Sequence, residues 1–386
     1  MPSRLLVLAA ALVATATLCV PAPSASRFLE RGIFDDAEIH YGNPDQVFPV
    51  LRQLNTQLLR INLVWGGVNG VAKRRPVDAA NPNDRAYDWS VYDRTVHYAA
   101  QHRIKPVFAI VSTPPWANAA AGVNVAPRSA LDLQRFAAAA AKRYSGRFKG
   151  PDGRMLPPVR SWLAWNEPNN PAFLRPQFKV VGGRTVPWAA REYAKMCNAV
   201  VKGVRTTSIG AMKVACGVTA PRGNNDASSS RPSLSPLAFL RAMKAAGATG
   251  FDAVAHHPYY GKPSETPATP PPNGARGQAA TAVTLGNIDV LVREVTRLWG
   301  NKRIWITEYG YQTNPPDRIF GVTYLNQARY LTQAYGIAKR HPRIDMFLWF
   351  LLRDERRPAL DEGWQSGLIA AGGRRKPAFT AFQRLR

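Results

Sequence analysis

Acidic residues are scarce in this chain. Asp and Glu together number 25 against 51 Lys and Arg, a formal net charge of +26 over 386 residues. Such an excess admits a partner of opposite sign: nucleic acid, an anionic envelope or an acidic polysaccharide. The basic residues are scattered, however, with only short runs such as Lys73-Arg74-Arg75 and Arg374-Arg375-Lys376. Nucleic-acid binding uses a clustered patch or helical stripe. The scatter therefore favours a soluble basic surface, and no nucleic-acid partner is expected.

Cysteine is also rare, with three in all: Cys19, Cys197 and Cys216. None has metal-ligand spacing, and no other ligand cluster stands out, so no metal is expected. Cys19 lies in the N-terminal segment, after a Leu18 too large for a lipid-attachment signal. Cys197 falls in an expected helix and Cys216 in the strand after it. Such a packed pair usually holds its backbones too far apart for a disulfide, so the expectation leans toward free thiols.

Long apolar runs are missing beyond residues 5–20. That run follows Arg4 and precedes the small, polar PAPSAS, the three-part pattern of a secretory signal. At about 16 residues it is short for a membrane span. Residues 1–26 are therefore expected to be a signal peptide, the mature chain secreted, and 27–386 one domain. No internal repeat or linker divides that domain. Nothing in the sequence fixes an oligomeric state.

What is present is alternation. Apolar, β-rich runs occur at 32–35, 58–65, 106–112, 160–165, 213–218, 251–256, 303–307 and 345–351. Between them lie stretches with 3.6-residue periodicity at 89–101, 131–144, 188–206, 237–246, 288–299 and 324–339. Asp88 and Ser129 are placed to cap two of these helices. Strand–helix alternation means parallel strands with crossover helices, and eight strands close a (β/α)8 TIM barrel. An open doubly wound sheet is the alternative, but no Gly-rich phosphate loop follows the first strand. Loops from helix to strand are short. Several from strand to helix are long, at 66–87, 220–236 and 261–284, all gathered on the C-terminal face. The Pro-rich 263–277 piece is read as a lid or a mobile segment.

Two strands end in carboxylates. SWLAWNEPNN places Glu167 at the end of the fourth strand, where Pro168 disfavours helix for the residue before it. RIWITEYGYQT places Glu308 at the end of the seventh. Two carboxylates facing one cavity suit glycosidic bond cleavage. Mutual repulsion and apolar, Trp-rich walls push their pKa values apart.

Trp165-Asn166-Glu167-Pro168 resembles the Asn-Glu-Pro acid/base motif of clan A retaining glycoside hydrolases, and Ile306-Thr307-Glu308-Tyr309-Gly310 resembles their nucleophile motif. The resemblance runs from about Arg31 to Arg386, with family 39 and family 5 equally open. It implies a retaining β-glycosidase acting on oligo- or polysaccharide, without metal or cofactor. By the same resemblance Arg60 supports the nucleophile, Tyr259 of His257-Pro258-Tyr259 hydrogen-bonds it, and Asn166 binds the sugar 2-hydroxyl. Trp349 would form the aromatic floor and Trp116, in TPPWA, a sugar-stacking face. His256 should point away from His257, since neighbours on a strand face opposite ways. Asp35 ends the first strand, where it could bind sugar hydroxyls, but a surface or structural duty is favoured. Two other classes stay open: a non-catalytic carbohydrate-binding barrel, and a basic protein binding envelope or nucleic acid.

Overall fold

Short runs of β-branched, aromatic and small residues form the inner wall of the molecule. The computed structural model describes residues 26, 28–207, 211–272, 277–355 and 363–386. Four strands come first: β1 (Glu30–Phe34), β2 (Leu58–Val64), β3 (Lys105–Val111) and β4 (Ser161–Ala164). A small antiparallel hairpin, β5 (Lys179–Val181) and β6 (Arg184–Val186), follows outside the barrel. Then come β7 (Lys213–Thr219), β8 (Ala253–His256), β9 (Arg303–Tyr309) and β10 (Ile344–Phe350). The barrel closes in the order β1-β10-β9-β8-β7-β4-β3-β2, every pairing parallel. The (β/α)8 expectation holds, with each strand within a few residues of its sequence run.

The barrel interior is packed. Small Ala109, Ala215, Ala253 and Ala255 alternate with Leu58, Leu163, Leu348 and the large Trp305. Complementary sizes fill a tapering lumen without a pore. A second, larger apolar layer lies between the strands and the outer helices, where Phe108, Phe136, Trp162 and Tyr193 are fully buried.

Helices stand close to their periodic stretches. Ser129 caps Ala130–Arg143 by accepting from the Leu131 amide. Asp88 does not cap in the expected way: the helix begins at Ser90, and Asp88 accepts from the Ser90 amide and hydroxyl just outside it. Two short helices, Asp36–His40 and Pro44–Gln53, fill the β1–β2 connection and were not read from sequence.

The expectation for the cysteines is overturned. Cys197 and Cys216 are joined by a disulfide, with Cα atoms 5.9 Å apart and both residues fully buried. The helix Trp188–Val204 carries Ala190, Ala194 and Gly203 among its buried residues. Gly203 meets the helix Ala130–Arg143, and the Cα separation of the two cysteines falls within bridging range.

The leader expected over 1–26 lies, apart from Ser26, outside the described residues. Ser26 itself is seated on the barrel, donating from its amide to Lys339 O and from its hydroxyl to Ile344 O. Of the 263–277 piece, residues 273–276 lie outside the described set. No helix among the described residues is long and apolar enough to cross a membrane.

Candidate active site

Glu167 leaves β4 through a tight turn. The Asn170 amide donates to the Glu167 carbonyl at 2.9 Å, with Pro168 at the first corner, the place where its fixed φ fits best. Glu167 itself has φ of 37° and Trp165 φ of 72°, conformations that non-glycine residues rarely hold. Such backbone strain concentrates at functional sites. The turn also brings the Asn170 side chain back, so that its Nδ2 donates to Glu167 Oε2 at 3.1 Å.

Glu308 reaches the mouth by another device. The β9–β10 ladder pairs Ile306 with Phe347 and Tyr309 with Trp349. β9 therefore takes three steps where β10 takes two, a bulge that re-aims side chains. Thr307 and Glu308 both meet groups at the mouth. Thr307 Oγ1 lies 3.1 Å from His257 Nε2, and Glu308 accepts from Arg60 and Tyr259.

Arg60 organises the cluster. It follows Leu58 on the inner face of β2 and is fully buried, its guanidinium 4.1 Å from the centre of the Phe34 ring. Nη1 donates to Glu308 Oε2 at 3.0 Å and to the Thr307 carbonyl at 3.0 Å. Nη2 donates to Asn166 Oδ1 at 2.6 Å. A guanidinium only donates, so the atom facing it must be the Asn166 oxygen, and the amide NH2 is left for other partners. Tyr259 Oη donates to Glu308 Oε1 at 2.9 Å, so each Glu308 carboxylate oxygen has a donor.

His257 joins the two carboxylates. Its Nε2 stands 3.1 Å from Arg60 Nη1 and its Nδ1 stands 2.9 Å from Glu167 Oε1. Since Arg60 cannot accept, Nε2 carries no proton, and Nδ1–H donates to Glu167. Burial pushes the imidazole down to about pKa 3, against the raising pull of Glu308, so the ring is neutral. His256 faces elsewhere, as expected: its Nδ1 meets Thr219 Oγ1 and its Nε2 meets the Val283 carbonyl.

Glu167 is 9% exposed, and that desolvation raises its pKa from 4.5 to about 7, with Asn170 and Arg60 pulling the other way. One oxygen of Glu167, one of Glu308 and a nitrogen of His257 all lie within 4.8 Å of one another. Three such groups resemble a cation cradle, but the tautomer opposes one. Ligation through Nδ1 would move the ring proton to Nε2, directly against the Arg60 guanidinium. The set is arranged for a proton at Glu167, not for a metal.

The structure thus brings together Glu167, Glu308, Asn166, Arg60, His257 and Tyr259. It does not bring Trp349 to the cavity. The barrel-facing residues of β10 are Met346 and Leu348. Trp349, one step out of phase, is fully buried among the residues between barrel and helices, its Nε1 donating to Ser366 O at 2.8 Å. It is core, not a floor. Trp116 belongs to a different group: its ring packs edge-on against Trp65, 5.6 Å away, and Arg75 lies over it. Asp35 has the structural duty expected of it. It accepts from the amides of Glu38, Leu352 and Arg353, tying the end of β1 to the segment after β10, while burial raises it to about pKa 7.

Sequence reading missed Asn170 and Thr307. The signals were there, an amide three residues after Glu167 and a hydroxyl beside Glu308, but a turn and a bulge had to be known to use them.

A model of a family of unknown function, DUF5722, matches residues 117–386, more than half of the chain. The chain belongs to the DUF5722 family. No curated protein matches it in sequence. Among solved structures, this DUF5722 chain is similar to a family 39 glycoside hydrolase from Bacteroides cellulosilyticus WH2, at 17% identity and TM-score 0.63, covering 92% of this chain and 63% of that one. A glucosidase from Croceicoccus marinus matches at 15% identity and TM-score 0.63, covering 94% and 66%. A family 39 β-xylosidase from Caulobacter crescentus matches at 18% identity and TM-score 0.60, covering 94% and 72%. The DUF5722 chain therefore spans less than two thirds of the first two of these proteins. At such identities the likeness is one of fold, a closed (β/α)8 barrel.

Proposed function

We propose that the chain is a secreted retaining glycoside hydrolase that cleaves β-O-glycosidic bonds of oligo- or polysaccharides, with Glu308 as nucleophile and Glu167 as acid/base. The observation that carries this is the pair itself. Two carboxylates from distant strands approach within 4.8 Å, one with raised pKa and one held by Arg60 and Tyr259. Retaining enzymes keep their carboxyl groups roughly 5–5.5 Å apart, whereas inverting ones leave room for a water between. The solved family 39 enzymes on the same fold add to its plausibility.

In the first step a Glu308 oxygen attacks the anomeric carbon. The bond to the leaving oxygen breaks, and that oxygen takes the Glu167 proton. In the second, Glu167, now a carboxylate, takes a proton from water. The resulting hydroxide attacks the same carbon and releases Glu308. Arg60 donates to the Glu308 oxygen and also sets the Asn166 amide, whose NH2 is free for the sugar 2-hydroxyl. Neutral His257 donates to Glu167 throughout, so it steadies the carboxylate formed after protonation of the leaving group. The Cys197–Cys216 disulfide suits an exported protein.

The test is hydrolysis of p-nitrophenyl β-glycosides of glucose, xylose, mannose, galactose and arabinose. The parent chain should cleave at least one, and Glu308→Gln should abolish turnover without unfolding. Turnover in Glu308→Gln equal to that of the parent would defeat the assignment.

A further inference from the structure

An aromatic row runs outward from Arg60. Phe34 lies under the guanidinium, and Phe350 packs against Phe34 with ring centres 5.5 Å apart. Trp364 meets Phe350 edge-on at 5.8 Å. Phe350 follows Met346 and Leu348 on the inner face of β10, so the row begins at the carboxylate cluster and ends on the rim. Phe34 is buried, Phe350 half-buried and Trp364 50% exposed.

The Trp364 backbone is held from both sides, and Phe350 backs its ring. The Trp364 amide donates to Glu355 Oε2, and its carbonyl accepts from the Glu355 amide at 3.0 Å. The next carbonyl, of Gln365, accepts from Lys376 Nζ at 3.0 Å, and Lys376 is itself fixed in a buried pair with Asp354. A large aromatic half exposed at the outer end of this row presents apolar area that water solvates poorly. Pyranoses with equatorial hydroxyls offer a matching surface, a face of C–H bonds.

We infer that Trp364, backed by Phe350, is a stacking platform for a pyranose unit adjacent to the one cleaved, so that the chain acts on oligosaccharides longer than a single glycoside. This rests on the hydrolase reading above. It assigns the aromatic role to a residue outside the strand-end positions, in the segment that follows β10.

The test uses cellotriose, xylotriose, mannotriose and β-1,4-galactotriose, with sugar release measured for the parent, Trp364→Ala and Trp364→Tyr. For the trisaccharide cleaved, Trp364→Ala should raise KM about tenfold with kcat changed less than about twofold, and Trp364→Tyr should recover most of the loss. Thermal melts of all three chains check that the fold is intact. A KM within about twofold of the parent, a fall in kcat alone, or no rescue by Tyr overturns the platform while leaving the hydrolase reading standing. A parent chain that cleaves none of the four trisaccharides and none of the aryl glycosides overturns both.

Discussion

Arg60 Nη1 sits 3.0 Å from Glu308 Oε2, and the other terminal nitrogen of the same guanidinium sits 2.6 Å from Asn166 Oδ1. One rigid fork therefore sets the spacing between Glu308 and the amide next to Glu167. Lysine presents a point charge on a flexible stem and cannot serve both. Arg60→Lys should lower kcat about a hundredfold, the scale on which a misplacement of about 1 Å acts, with a smaller change in KM. Steady-state kinetics on the aryl glycoside cleaved best would check this, and parent-like kcat would contradict it.

In the proposed mechanism Glu167 must carry its proton to assist departure of the leaving group, and burial raises its pKa to about 7. Below that value the acid is in place. Above it the carboxylate predominates, so kcat/KM should fall about tenfold per pH unit, with an alkaline midpoint near 7 in the free enzyme. A pH–rate profile tests this. Glu167→Gln should lose the alkaline limb together with most of the activity, and a limb that persists unchanged in that variant would assign it to another group.

Asn170 donates to Glu167 Oε2 and so favours the charged carboxylate. Removing that donor must raise the Glu167 pKa further. In Asn170→Ala the alkaline limb should move to higher pH by about one unit at most, the scale of a single hydrogen bond. A shift to lower pH would show that the contact does not act as drawn.

Much of this was legible from the chain alone, because parallel strands buried on both faces read as short apolar runs and their crossover helices keep a clear period. The strand ends announced themselves too, since Glu167 and Glu308 are conspicuous where aromatic runs end, although β4 itself ends at Ala164, before the turn that Pro168 occupies. Position within a strand was harder. Trp349 and Phe350 are adjacent and both aromatic, and only barrel register decides that Phe350 joins the inner face while Trp349 is core. The bulge at Thr307–Glu308 likewise breaks the alternation that a sequence reader must assume. The hairpin β5–β6 was missed for a different reason. It is exposed over most of its length, so it carries no burial pattern to read.

The Cys197–Cys216 bond was judged against a generic helix–strand spacing, whereas this pair has Cα atoms 5.9 Å apart, within bridging range. The bridge spans a sequence separation of 19. A loop of that size restricts the unfolded chain by about 3 kcal/mol in the chain-entropy account. Replacing both cysteines by serine should therefore lower the midpoint of guanidinium unfolding. An unchanged midpoint would mean that the bond adds nothing to stability.

A 2-deoxy-2-fluoro glycosyl fluoride slows release of the covalent intermediate more than its formation, and so leaves the attacking residue marked. Incubation with the gluco, xylo, manno and galacto forms, followed by peptide mass spectrometry, should find one fluorosugar esterified to Glu308 and none on Glu167. A label on any other carboxylate, or cleavage of a glycoside whose fluorosugar never labels the chain, would contradict the central claim.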